Sequence, residues 1–178
     1  MTRDEISIET FKSKEGVAKL VFAMLQHTQA GGWLTPKGMG FNQAHHQWRD
    51  YIDVVIGKHK YGVGARTIKV YMAAERNVYP VTEAAKDVVA NGGRSILREH
   101  AVPSIILWNI AKRATKWEDC LIIIDLFTMV IMTREQDKMI SLKKAMPEGW
   151  KVGDSVLARY EGLPFHSEVS NQLPYLNP

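Results

Sequence analysis

The sequence predicts an α+β fold, a mostly helical single domain with a small sheet of two or three strands. Several stretches repeat apolar residues at helical spacing, and two short apolar runs are bounded by turn residues, as strands are. The chain has 178 residues, of which 46% are apolar and 24% charged, the balance of an ordinary globular domain. We expect one domain over residues 1–162 and an extended tail, with three prolines, over 163–178.

The first half of the chain predicts helices that are separated by glycines. Ser13 is a suitable N-cap for the first helix, and Gly57 is expected to stop the second. Between these helices, the glycine-rich segment 31–40 has no apolar stripe and predicts a loop. The run Asn91-Gly92-Gly93 closes the fourth helix, which opens at Pro80. The helices predicted in this half are 13–29, 41–56, 65–78 and 80–89.

The second half alternates between strand and helix patterns. Thr133 followed by Gln136 matches a capping box, so a helix is expected after the second strand. Pro103 suits a first helical turn, Thr115 is a candidate cap, and Asp154 is expected to cap a short helix that contains Tyr160. The predicted strands are 94–100 and 128–133, and the predicted longer helices are 103–113, 116–126 and 134–145.

The positive charge is concentrated in one part of the chain. Residues 58–98 hold eight Lys or Arg against three acidic residues, whereas the whole chain has a net charge of only +4. Tyrosines are interleaved with these cations, and tyrosine rings can stack on bases. We therefore expect a face that binds nucleic-acid phosphates; the alternative is a solvated helix face balanced by acidic residues elsewhere. The residues expected to bind phosphate are Lys58, Lys60, Arg66, Arg94 and Arg98.

Glu99 and His100 are the strongest candidates for catalytic residues in this sequence. They end the first predicted strand, and histidine can act as a general acid or base near neutral pH. Because strand residues alternate between faces, Arg94 and Arg98 are expected on the side of His100, with Glu99 on the other. This pattern predicts His100 and Glu99 as catalytic residues beside two phosphate-binding arginines. The alternative is a buried pair that ties the strand to the next helix.

The segment Glu99-His100-Ala101-Val102-Pro103 resembles the first motif of HNH-type (ββα-metal) nucleases. The resemblance covers these five residues. It implies that Glu99 is a ligand of Mg²⁺ or another divalent metal and that His100 is the base that activates water. A metal-independent variant, in which the two side chains work as an acid–base pair, is the alternative.

A second resemblance spans about the C-terminal half of the chain. It consists of the Glu-His-x-Val-Pro segment, a helix start with Thr133, Glu135 and Asp137, and the run from Met146 to Tyr160. This order is similar to a group of uncharacterised bacterial and phage proteins. The group implies an origin of that kind and no particular activity.

Three aromatic side chains near the glycine-rich loop are candidates for binding a ligand. Trp33 lies within the loop, and His45 and His46 follow it. An aromatic residue on a loop can stack on a ligand, whereas the alternative for the two histidines is a surface pair. Cys120 is the single cysteine, which excludes a disulfide framework.

Together these features favour a nucleic-acid phosphodiester hydrolase, an endonuclease with its site beside a basic groove. The alternative is a non-catalytic DNA- or protein-binding module of phage or mobile-element origin. No apolar run approaches the ~18 residues of a membrane span. We therefore expect a cytoplasmic protein with no membrane partner, whose apolar helix faces leave room for a homodimer.

Overall fold

A computed structural model describes residues 8–29 and 41–173, with side chains described for 10–29 and 44–173. It confirms the α+β class, with 55% helix and a small antiparallel sheet of two strands. The α-helices are α1 (Lys14–Gln29), α2 (Phe41–Tyr61), α3 (Val70–Glu75), α4 (Glu83–Ala90), α5 (Ser104–Ala111), α6 (Leu121–Leu126), α7 (Arg134–Met139) and α8 (His166–Ser170), and the strands are β1 (Ile96–His100) and β2 (Met129–Thr133).

The chain forms two compact units. The first, called here the helical unit, comprises the described residues within Met1–Thr67 and Leu107–Leu126, and the second, the sheet unit, comprises Ile68–Ile106 and the described residues within Phe127–Pro178. The chain passes between them at Thr67, within α5 and after Leu126.

The helical unit is built on the apolar face of α1. Ser13 is its N-terminal cap, as predicted, because the Ser13 hydroxyl accepts a hydrogen bond from the Gly16 N–H at 2.9 Å. The buried face of α1 packs against α2, whose buried side chains include Trp48 and Ile52. Burial of a side chain of this size contributes about 1.5–3 kcal/mol of transfer free energy. The apolar spacing in the sequence therefore predicts both helices correctly.

Gly57 does not stop α2, which continues to Tyr61. A Cβ atom at Gly57 would lie 3.1 Å from the backbone nitrogen of Ala65 and 3.2 Å from the carbonyl oxygen of Val63. The glycine therefore serves the close approach of the segment after α2, and the prediction that it ends the helix is wrong. A glycine inside a helix is tolerated where packing needs the space.

The sheet unit centres on the antiparallel pair of β1 and β2. Ile96 faces Thr133 and His100 faces Met129 in the register. Val81 adds a parallel bridge to Ile131 of β2. Since this bridge keeps the chain extended, Pro80 does not open a helix. Helix α4 begins instead at Glu83, after Thr82 as N-cap.

Three other predicted helices are shorter in the structure. Helix α3 ends at Glu75, and Asn77 follows with a positive φ of 48°, which reverses the chain. Helix α7 has the predicted capping box of Thr133 and Gln136 but ends at Met139, because Ile140 turns into the core with extended backbone. The predicted helix 116–126 begins as a 3-10 turn, Trp117–Cys120, before α6.

The C-terminal segment differs from the expected extended tail. It contains α8, and Phe165, Val169 and Leu173 are buried around it. The side-chain amide of Gln172 accepts from the Val81 N–H at 2.9 Å and donates to the Val81 carbonyl oxygen at 2.8 Å. Residues 163–173 are thus part of the sheet unit, and 174–178 lie outside the described residues.

Candidate functional site

Glu99 and His100 are neighbours on β1 and therefore face opposite sides of the strand. Glu99 is paired with Val130 in the sheet, and His100 is paired with Met129. Both residues are half-buried. The arrangement places the carboxylate and the imidazole in two different environments rather than in one acid–base pair.

The carboxylate of Glu99 forms an ion pair with Arg159, whose side chain has no exposed surface. The Glu99 side chain is 24% exposed. The Nη2 atom of Arg159 donates to Glu99 Oε1 and, at 2.6 Å, to the carbonyl oxygen of His100. Its Nη1 atom donates to the carbonyl oxygens of Leu142 at 2.9 Å and Lys143 at 3.4 Å. Arg159 therefore joins β1 to the segment after α7 and to its own segment near the C-terminus.

The residues around this ion pair are also buried. Tyr160 has no exposed surface, and its ring lies edge-on to Phe165 with centroids 5.7 Å apart. Burial raises the pKa of the Tyr160 hydroxyl well above its usual range, so the residue is neutral. The face of β1 that carries Glu99 thus has the character of a packed polar link.

His100 lies on the other face with Arg98. The His100 ring packs edge-on against Phe127, with centroids 5.5 Å apart. The guanidinium of Arg98 donates to the carbonyl oxygen of Ile68, and its Cζ atom lies 5.8 Å from the centroid of the Tyr79 ring. The same-side placement predicted for Arg98 and His100 follows from the regular strand, while Arg94 precedes β1.

Arg94 lies over Tyr71, near the start of α3. Its Cζ atom is 4.3 Å from the centroid of the Tyr71 ring, and the Nζ atom of Lys69 is 6.0 Å from the same centroid. Arg94 and Lys69 are exposed, whereas Tyr71 is half-buried. Among the residues that the structure describes, neither of these two cations pairs with a carboxylate. We refer to Lys69, Tyr71 and Arg94 as the stacked cluster.

The other three residues expected to bind phosphate belong to the helical unit. Arg66 pairs with Asp50, and its Nε atom lies 3.8 Å from Asp53 Oδ2. Lys58 is exposed and donates to the carbonyl oxygen of Gly62 at 2.8 Å. These contacts explain both side chains within their own unit. Their phosphate binding stays a prediction.

Lys60 is more buried than the sequence suggests. Its Nζ atom donates to the carbonyl oxygens of Ile124 at 3.2 Å and Asp125 at 3.5 Å, at the end of α6. Burial lowers the pKa of Lys60 to about 8. The negative charge of Asp125 partly opposes this shift, and the positive charge of Lys14 adds to it. The ammonium group therefore caps a helix inside the unit.

The candidates around the glycine-rich loop divide between described and undescribed parts of the chain. Trp33 lies outside the described residues. The ring of His45 is half-buried, 5.3 Å from the ring of His46 and 6.3 Å from that of Trp108, measured between centroids. Trp108 also packs on Trp48, with centroids 5.3 Å apart. His45 thus belongs to an aromatic cluster between α2 and α5, and His46 is exposed.

Glu99 does not have the surroundings of a Mg²⁺ ligand in this geometry. Its carboxylate faces a guanidinium, and within residues 8–29 and 41–173 no three His, Cys, Asp or Glu side chains group as metal ligands. Magnesium sites need several oxygen ligands and an accessible side for water. The metal role of Glu99 stays a prediction without support from neighbouring side chains.

Arg159 is the residue in this region that sequence reasoning missed. It is separated from Glu99 by 60 positions, so no local spacing connects them. The sequence offers only a general indication of this pair. A carboxylate on a buried strand needs a cation as partner, and an arginine among apolar residues such as Val156 and Leu157 is a candidate for it.

Comparison with known proteins gives no relative. No family model, no curated protein and no solved structure matches this chain. In the part of the chain that the structure describes, each helix is too short or too polar to cross a bilayer.

Proposed function

We propose that this protein binds nucleic acid through the sheet unit, as a binding module. The observation that carries the proposal is the stacked cluster, in which two exposed cations, Lys69 and Arg94, lie 6.0 and 4.3 Å from the centroid of one tyrosine ring. Exposed cations bind phosphates and release counterions from them, and an aromatic or guanidinium plane can stack on a base. The part of the basic stretch that belongs to the sheet unit, residues 68–98, holds five Lys or Arg against three acidic residues, which supports the same ligand class.

The ion pair of Glu99 also favours binding over catalysis. A carboxylate that holds a metal or accepts a proton must be accessible to the substrate. Glu99 is 24% exposed, but its carboxylate pairs with the fully buried Arg159, whose guanidinium competes with a metal cation for the carboxylate oxygens. This supports the alternative drawn from the sequence, a non-catalytic module, ahead of the hydrolase.

The proposal is tested by fluorescence anisotropy with labelled oligonucleotides over a series of salt concentrations. The logarithm of the binding constant should fall linearly with the logarithm of salt. Lys69→Gln or Arg94→Gln should each reduce the slope by about 0.7–0.9, the contribution of one phosphate contact. Arg113→Gln is the matched control, because Arg113 is an exposed arginine of the helical unit. Binding that is absent, or insensitive to both variants, would overturn the proposal.

A phosphodiester hydrolase is the second candidate, favoured by one observation. His100 shares a face of β1 with Arg98, so a base and a cation for a phosphoryl oxygen lie on the same side. The test is cleavage of DNA and RNA by wild type and His100→Ala, with Mg²⁺, with Mn²⁺ and with EDTA. Cleavage that is lost in His100→Ala, with the fold retained, would support the hydrolase. Oligonucleotide binding without cleavage would leave the binding module.

A further inference from the structure

The closest contact in the stacked cluster is between Arg94 and Tyr71. At 4.3 Å from the ring centroid, the guanidinium of Arg94 is in van der Waals contact with Tyr71. Arg94 is exposed and Tyr71 is half-buried. The pair therefore offers a surface-exposed planar cation that packs on a ring of the protein.

A second cation–ring pair, Arg98 with Tyr79, supports the segment that carries Lys69. The guanidinium of Arg98 lies near the ring of Tyr79, which is only 2% exposed, and it donates to the carbonyl oxygen of Ile68. Ile68 directly precedes Lys69, at the approach to α3. Arg98 therefore ties the segment that carries Lys69 to β1.

We propose that the stacked cluster recognises an unpaired base, and hence that the ligand is a single-stranded nucleic acid. This rests on the proposed function. In a duplex the base faces are covered by neighbouring bases, so a protein reaches only edges, sugars and phosphates. An unpaired base can stack on the exposed guanidinium of Arg94, while Lys69 contacts the adjacent phosphate.

The number of exposed cations also favours a single strand. In residues 68–98, Arg98 donates to a backbone carbonyl, and Lys86 pairs with Glu83 at 2.7 Å. Lys69, Arg76 and Arg94 are the exposed cations of this segment for which the structure gives no acidic partner. Tight duplex binding without base stacking relies on many phosphate contacts. A few charges beside a stacking surface suit a single strand, for which each stacked base adds affinity.

The test compares a labelled single strand of roughly 12 nucleotides, a length in the range of single-strand sites, with the same sequence as a duplex. Wild type should bind the single strand at least about fivefold more tightly, the lower value expected for one stacked base. Arg94→Lys keeps the charge and removes the planar group. It should weaken single-strand binding by about fivefold or more, with little change in the salt slope.

The tyrosine is tested by a matched pair of variants. Tyr71→Phe keeps the ring and should retain single-strand binding, whereas Tyr71→Leu removes the support of the guanidinium and should weaken it. Because Tyr71→Leu can also disturb α3, a 2-aminopurine base in the oligonucleotide gives an independent readout on wild type and Arg94→Lys. Its fluorescence should change on binding to wild type and change less with Arg94→Lys.

The two levels of the proposal fail in different ways. Salt-dependent binding of single strand and duplex with equal affinity, or an Arg94→Lys variant equal to wild type, would overturn the base-stacking inference and leave nucleic-acid binding intact. Absence of binding to either oligonucleotide would overturn both.

Discussion

Replacement of Arg159 by methionine should destabilise the protein strongly. The variant Arg159→Met removes a fully buried cation and keeps most of the side-chain volume. It leaves the Glu99 carboxylate without its partner, and the carbonyl oxygens of His100 and Leu142 lose their donor. The expected loss of free energy of unfolding is larger than the loss from removal of an exposed ion pair.

The magnitude follows from the burial of the two partners. Removal of one member of a buried ion pair costs about 3–5 kcal/mol. Glu99 is 24% exposed, so water can reach its carboxylate, which places Arg159→Met toward about 3 kcal/mol. The variant Glu99→Leu leaves the fully buried guanidinium with its carbonyl partners but without a counter-charge, and should cost more, toward about 5 kcal/mol. The double variant should be less destabilised than the sum, by at least about 1 kcal/mol.

The assay is urea unfolding followed by circular dichroism for wild type, both single variants and the double variant. A loss of about 3 kcal/mol corresponds to a fall in melting temperature of roughly 6–12 °C for a chain of this size. Lys86→Met is the control, because the pair of Lys86 with Glu83 is exposed and should contribute less than about 1 kcal/mol. Single variants that each cost less than about 1 kcal/mol, or a double variant equal to their sum, would refute the reasoning.

Three further predictions concern the helical unit. The pKa of Lys60 falls from 10.5 in the unfolded chain to about 8 in the fold, so the unfolded state binds more protons between these values. Between pH 8 and 10.5, the free energy of unfolding of wild type should therefore rise relative to that of Lys60→Met, as measured by urea titration. The same pH dependence in both proteins would contradict this prediction. Arg66→Gln should lower the free energy of unfolding by less than about 1 kcal/mol, because the ion pair of Arg66 with Asp50 is half-exposed. In anisotropy measurements it should weaken oligonucleotide binding less than Arg94→Gln does. An equal loss of binding would restore Arg66 as a phosphate ligand. Gly57→Ala should lower the free energy of unfolding by about 1–3 kcal/mol, although alanine has the better helix propensity. The reason is that the new methyl group would lie 3.1 Å from the backbone nitrogen of Ala65. A melting temperature above that of wild type would contradict this account of the packing.

Local signals in the sequence predict most elements of the fold. The apolar spacing of α1 and α2 and the caps at Ser13 and Thr133 all have their effect within a few residues. Such signals act through backbone conformation and nearby hydrogen bonds, which the order of residues specifies directly. Helix ends are less well predicted. Gly57 has the usual form of a stop signal, but its role is set by a segment that packs against it.

The candidate site is also predicted only in part, because some of its contacts join segments that are distant in the sequence. The opposite faces of Glu99 and His100 follow from strand alternation, and the basic and aromatic character of residues 58–98 is visible in the composition. The composition does not show which of these cations binds a ligand, because Arg66 and Arg94 are the same residue type. The structure distinguishes them, because Arg66 pairs with Asp50 whereas Arg94 lies on Tyr71.

The sequence by itself determined the α+β class, the apolar faces of the helices and strands, and the position of Glu99 and His100 at the end of a strand. The tertiary structure decided that Arg159 neutralises Glu99 across 60 positions and that Gln172 holds the C-terminal segment on Val81. The physical reason is the range of the forces involved. Backbone preferences and apolar periodicity act locally, whereas buried charges and unpaired backbone groups find partners wherever the packed chain brings them into contact.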